Sequence, residues 1–290
     1  GSTVQAVQHC ADLGLILAAV FAGTVVALDD SSMAERWSTN LNDGFVLAMC
    51  KHAESHWLFA VTRYSNVHCI DPVGGDVLWK AACGETHPFA FNIQYVPELQ
   101  RVYVAQKNGE MVSLDSRTGR VTNTLKMPTA RGICVMEYVP ARCVMCVGIF
   151  SGELLAVDLS ACNLPLRIPL ATDAVGAPVY VATAKTLYVP ADGDLCALSV
   201  QDTTGAPCLS LSQRRTLHDY VEVGIENDSM LRGLTHVAAE DDSGVLFAGT
   251  GAGEIVSIDP VSLEVTERVH VASHEENRVT NVLYVHAQKR

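Results

Sequence analysis

Basic residues are scarce in this chain, with 20 Lys and Arg against 32 Asp and Glu, a formal net charge of −12. A general binder of nucleic acid or of an anionic membrane needs a basic face, so this balance argues against both kinds of partner. Runs of 18 apolar residues are absent, so no helix is expected to span a bilayer. The apolar stretch 13–22 is too short to span, and with no basic segment before it, it does not read as a signal peptide. Gly-x-Ser-x-Gly, P-loop and His-Glu-x-x-His patterns are missing as well. Hydrophobic residues still make up 49% of the 290 residues, enough for a large core, which excludes wholesale disorder. That length is the usual size of two domains, a prior that repeat folds break.

An internal repeat is present. Ala22-Gly23-Thr24-Val25-Val26-Ala27-Leu28-Asp29 returns as Asn108-Gly109-Glu110-Met111-Val112-Ser113-Leu114-Asp115 and as Ser151-Gly152-Glu153-Leu154-Leu155-Ala156-Val157-Asp158. Further copies are Asp192-Gly193 through Ser199 and Ala252-Gly253 through Asp259, and a degenerate one, ending at Asp71, has Ser65 in the Gly slot. The closing positions 29, 71, 115, 158, 199 and 259 are spaced by 42, 44, 43, 41 and 60. An apolar strand precedes each Gly, and the Gly itself reads as part of a two-residue hairpin turn. The closing Asp reads as an Asx-turn, and one more strand lies on each side of the hairpin. The middle strands are apolar on both faces, as in Glu153–Asp158, where a half-exposed sheet would alternate.

Four-stranded units of this length, buried on two sides, are expected to be blades of an all-β propeller. The expected blades are residues 4–40, 44–84, 89–127, 132–170, 177–212 and 234–271, forming one domain over 3–290. Trp37 and Trp79 each stand eight residues after an Asp. The pattern Asp71-x-x-x-Gly75-x-x-x-Trp79 resembles the tryptophan-docking repeat of PQQ-like, quinoprotein-type propellers; Asp115 and Gly119 repeat it without the Trp. The spacing is also similar to that of WD40 repeats, although no Gly-His…Trp-Asp pair is present. The resemblance covers nearly the whole chain and implies the fold. It carries over no cofactor site, and no cofactor is expected. Similar propellers form the C-terminal part of some adenylate-forming enzymes, which fits a domain belonging to a longer protein. Gly1-Ser2 reads as a cloning remnant.

Residues 279–286 read as the first strand of a seventh repeat. Three readings stay open: a strand closing a six-bladed ring, a blade continued in the parent protein, or a blade completed by a protein partner through strand addition. The extra length between blades five and six, residues 213–233, holds Arg214, Arg215, Tyr220 and Glu222, the candidate partner-binding residues; the alternative is a tolerated surface excursion.

Ten scattered cysteines read as core thiols of a protein in a reducing intracellular compartment. Cys143 and Cys146 are placed in one extended strand, which puts their thiols on opposite faces rather than on a metal. His52 and His56 are expected in a solvated loop, Glu240-Asp241-Asp242 in a solvated turn, and the glycines of 249–253 in a hairpin.

The expected function is a non-catalytic protein-interaction scaffold belonging to a larger intracellular protein or complex. The alternatives are a small-molecule enzyme using the central channel, either lactonase-like or a quinoprotein relative, and a peptide- or small-ligand-sensing domain.

Overall fold

The computed structural model describes residues 4–20, 22–52, 55–84, 89–129, 131–161, 166–172, 175–201, 209–216, 231–237, 244–250 and 254–271; for 231–237 and for 250 it describes the backbone only. The chain forms two compact units, Gly1–Tyr138 and Val139–Arg290.

Six four-stranded antiparallel sheets follow one another along the chain, each a simple meander. The first holds β1 (Val4–Cys10), β2 (Leu15–Val20), β3 (Thr24–Asp29) and β4 (Glu35–Asn40). The second holds β5 (Val46–Lys51), β6 (Leu58–Thr62), β7 (Asn66–Ile70) and β8 (Val77–Ala82). The third holds β9 (Ala90–Val96), β10 (Arg101–Gln106), β11 (Glu110–Asp115) and β12 (Val121–Lys126). Next come β13 (Ile133–Val139), β14 (Val144–Ile149), β15 (Glu153–Asp158) and β16 (Leu166–Pro169). The fifth sheet is β17 (Val179–Val181), β18 (Thr186–Ala191), β19 (Asp194–Val200) and β20 (Leu209–Thr216). The last is β21 (Leu231–Val237), β22 (Val245–Thr250), β23 (Glu254–Ile258) and β24 (Val265–His270).

Burial follows position within each sheet. Every residue of β6, β7 and β14 is buried, whereas β8 and β12 are mostly exposed. In sheet two the middle strands are covered by sheet one on one face and sheet three on the other, which is why their sequences show no alternation. In the first unit, Leu17, Val25 and Ala27 pack with Leu58, Ala60 and Ile70, joining sheets one and two. Phe59, Val67 and Cys69 pack with Val102, Val104 and Val112, joining sheets two and three. In the second unit, Leu154 and Cys146 meet Leu187 and Val189, and Leu195 and Ala197 meet Leu246 and Val256.

The hairpins correct one expectation. Between the second and third strands of the first four sheets lie three residues rather than two, with the amide of Gly23, Ser65, Gly109 or Gly152 bonded to the carbonyl three residues earlier. This is a turn followed by a residue at positive φ, between +57° and +82°, the three-residue hairpin with a bulge. Ser65 takes that conformation at φ 57°, so the repeat tolerates its missing Gly. The two-residue form occurs at Asp192-Gly193, where both φ angles are positive. The structure also contains short 3-10 turns at Ala11–Leu13, Pro97–Leu99 and Pro140–Arg142.

Four further expectations change. Gln213–Thr216 belong to β20, so Arg214 and Arg215 sit in a strand rather than a loop. β20 is the outermost strand of its sheet, exposed from Leu211 onward, and its polar sequence from Ser212 therefore reads like a connection. Residues 231–233 belong to β21, so the connection is shorter than 213–233 at both ends. Cys143 is not in a strand; it closes the 3-10 turn at φ 51°, while Cys146 is buried in β14. His52 is buried rather than solvated. Tyr220, Glu222, Gly253, residues 240–242 and residues 279–286 lie outside the described residues.

The closing turns differ in one slot. Gly75 and Gly119 supply the left-handed residue of two turns, but Met33 occupies it in the first, at φ 58° and exposed. A side chain there is disfavoured by roughly 1–2 kcal/mol against the right-handed region. Replacing Met33 with Gly should stabilise the first unit by about 0.5 kcal/mol after the extra entropy of an unfolded Gly is subtracted. A higher urea midpoint at unchanged slope is the expected readout.

Candidate functional site

The repeated aspartates act within their own turns. Asp29 Oδ1 accepts from Ser31 and Ser32 through both amide and hydroxyl, while Oδ2 takes the guanidinium of Arg36. Asp71 accepts from the amides of Val73 and Gly74. Asp115 accepts from Arg117 N and from Thr118 N and Oγ1, and Asp158 from Ser160 N and Oγ and from Ala161 N. Asp259 accepts from Val261 N and from Ser262 N and Oγ. The Ser31 hydroxyl first, then Arg36, holds the Asp29 carboxyl far below the usual carboxylate range. Bonds from Thr118, Ser160 and the Ser262 amide lower Asp115, Asp158 and Asp259 in the same way. These carboxylates stay ionised and stitch backbone N–H groups into a turn.

The tryptophans link one sheet to the next. Trp37 Nε1 donates to Pro72 O at 2.8 Å, and Thr39 Oγ1 donates to Gly75 O at 2.7 Å. One period later, Trp79 Nε1 donates to Ser116 O at 3.2 Å. A Cβ on Gly75 would lie 2.7 Å from the Trp37 ring, and one on Gly119 would lie 2.6 Å from the Trp79 ring. Each indole therefore docks on the Asp-x-x-x-Gly turn of the following sheet, and glycine is what lets the ring approach. Asn123 stands where sheet three would carry its own Trp.

Sheet two holds a buried polar network that the repeat did not announce. Asp43, in the connection before β5, binds His68 Nε2 at 2.9 Å, Asn66 Nδ2 at 2.9 Å and Lys80 Nζ at 3.2 Å. The Thr62 hydroxyl donates to the same carboxylate at 3.3 Å. Burial pushes the Asp43 carboxyl up, but the bonds from His68, Asn66 and Lys80 outweigh it and the net shift is downward. Desolvation dominates at His68 and depresses its imidazole, so the ring is neutral with Nε2–H donating to Asp43. His68 Nδ1 is buried without a partner. The signal was available: the slots equivalent to His68 hold Val26, Val112, Leu155, Cys196 and Val256. A histidine in an apolar slot marks a polar neighbour arriving from elsewhere.

A second pair repeats at one period. Tyr95 Oη lies 2.8 Å from His52 Nε2, and Tyr138 Oη donates to Glu98 Oε2 at 2.7 Å. The His52 ring stacks on Tyr95 at 4.2 Å and accepts the Ser55 amide at Nδ1. His56 instead pairs with Asp12 at 2.6 Å, so the two histidines do not converge on one point.

Of the other candidates, Arg214 is bound to Asp194 and to Leu170 O, and Arg215 pairs with Glu264 at 3.1 Å. None of the eight described cysteines is joined in a disulfide. Burial pushes Cys69 and Cys83 up to about 12, so both stay protonated. Among the described residues, no three His, Cys, Asp or Glu side chains are grouped to hold a metal ion. No helix among them is long and apolar enough to cross a membrane. In the second unit, Val139, Arg142, Val144, Val200 and Leu209 line a shallow depression that encloses no space for a small molecule.

No curated protein sequence matches this chain. Among solved structures, the β-propeller domain of Cps50 (Swd1) from Myceliophteria thermophila is similar, with a TM-score of 0.75 over 93% of this chain and 88% of that one. At 11% identity that likeness establishes the propeller fold alone. The family model described as outer membrane protein assembly factor BamB matches residues 21–218, more than half of the sequence, and the chain belongs to that PQQ-type propeller family.

Proposed function

We propose that this propeller is a non-catalytic protein-interaction domain of a larger intracellular protein. The observation that carries this reading is how its repeated polar residues are used. Asp29, Asp71, Asp115, Asp158 and Asp259 are committed to their own turns, and Trp37 and Trp79 to the turn of the next sheet. The side chains that recur therefore build sheets, and the connections between strands supply the surface that differs from repeat to repeat. A rigid scaffold presenting variable loops suits recognition of another protein. Free, protonated thiols at Cys69 and Cys83 fit a reducing compartment.

Cross-linking in cells of the natural host, followed by affinity capture of the parent protein, tests this reading. Reproducible cross-links between this domain and another protein support it. No cross-linked partner, together with turnover by the isolated domain or stoichiometric bound metal by elemental analysis, would sink it in favour of an enzyme.

A further inference from the structure

One edge of the first unit reverses the sign of the chain. The guanidinium of Arg63 lies 4.6 Å from the centre of the Phe89 ring and 5.7 Å from that of Phe45. Phe89 in turn stacks on Phe91 at 5.7 Å. The backbone continues the contact: Lys107 N donates to Phe89 O at 2.7 Å. A Cβ on Gly132 would sit 2.0 Å from Lys107 O, which places its neighbour Arg131 beside Lys107. Arg63, Lys107 and Arg131 thus follow one another along the hairpins and connections of sheets two and three. Arg63 is half-buried, and Lys107 and Arg131 are exposed.

Among the described residues, none of these three cations pairs with a carboxylate. Two described carboxylates of these sheets are already engaged, Asp43 by His68 and Lys80 and Glu110 by Lys126 and Asn108. A chain of net charge −12 therefore carries a local cationic edge interleaved with aromatic rings.

We propose that this edge docks a short acidic segment of a protein partner, in extended conformation. Its carboxylates meet Lys107 and Arg131, and an apolar side chain lies against the Phe89–Phe91 pair. Arginine and aromatic residues are the side chains from which binding hot spots are built. Arg63 already lies against two rings, so less freedom is lost when it engages a carboxylate. Charge also selects the class of partner. Repulsion from the rest of the surface is screened beyond about 8 Å at physiological salt, so a short acidic segment is accepted, whereas a long polyanion such as nucleic acid meets the acidic surroundings.

This inference rests on the interaction reading above, and its test separates the two. The probe is a fluorescein-labelled peptide of alternating Glu and Phe, about ten residues and roughly 33 Å when extended, followed by anisotropy with the whole chain. The expected result is salt-sensitive binding that weakens about tenfold in the Lys107→Glu/Arg131→Glu double variant. Arg120→Glu, on the Asp115 turn, should leave binding unchanged. An unaltered tryptophan-fluorescence unfolding midpoint confirms that the double variant is folded.

Absence of probe binding to the wild type overturns the proposal. So does equal binding by the double variant, or tighter binding of single-stranded DNA of equal charge at the same salt. If the double variant still cross-links to the same partners as the wild type, the docking edge is wrong while the interaction reading survives.

Discussion

Replacing Trp79 with Ala should destabilise the first unit by about 3 kcal/mol, toward the lower end for a large aromatic truncation because the ring is only partly buried. Two losses combine. The ring fills the space between Phe59, whose centroid is 5.7 Å away, and the turn at Gly119. Its Nε1–H also satisfies Ser116 O, in a residue with 0% exposure. Trp79→Phe keeps most of the packing and loses the hydrogen bond, so about 1 kcal/mol is expected. Gly119→Ala attacks the same dock from the other side, because its Cβ would lie 2.6 Å from the ring at φ 71°. Removing the indole removes that clash but not the backbone strain. The double variant should therefore be more stable than the summed single losses by about 1–2 kcal/mol. Urea unfolding followed by tryptophan fluorescence is a clean readout, since Trp37, Trp57 and Trp79 all belong to Gly1–Tyr138; Trp37 and Trp57 still report when Trp79 is replaced. Strict additivity of the two substitutions would mean that the indole is not docked on that turn.

The same dock shows why so much of the fold was legible. Trp37 meets Pro72 and Trp79 meets Ser116, contacts separated by nearly one repeat, so the period in the sequence is also the distance between partners. The Asp turns are local, and their residue types announce them. The middle strands of sheet two are apolar on both faces because sheets one and three cover them. What the sequence concealed depends on geometry that no period encodes. An Asn-Gly pair such as Asn108-Gly109 suggests a two-residue turn, yet Lys107 joins it to make a three-residue one. Arg214 and Arg215 looked like loop residues because the last strand of a sheet is as polar as a connection. His52 looked solvated because its partner, Tyr95, comes from the next sheet. Least legible was Asp43, a lone carboxylate in a connection whose partners lie between 19 residues (Thr62) and 37 residues (Lys80) ahead.

Replacing Asp43 with Ala should destabilise the first unit by about 3 kcal/mol at neutral pH, because it strands buried partners instead of removing a pair. Lys80 is half-exposed and turns to water, but Asn66 and His68 cannot. Asp43→Asn keeps an acceptor and should lose about 1 kcal/mol. The pH dependence identifies the network independently of that magnitude. His68 is depressed in the folded protein, chiefly by desolvation, against the usual pKa of about 6.5. As pH falls below that value the unfolded chain takes up the proton first, so stability declines on the acid side. The groups facing the ring are Asp43 and Lys80. Asp43 is depressed too, so its contribution is present above about pH 4 and is lost only at lower pH. Over the window from about pH 6.5 to 5, the difference between the wild type and His68→Gln therefore reports His68 in this network. Stability over that window should fall in the wild type, fall more steeply in Asp43→Ala, where no carboxylate supports the imidazolium, and flatten in His68→Gln. An unchanged slope in His68→Gln would show that the ring is not held neutral against Asp43.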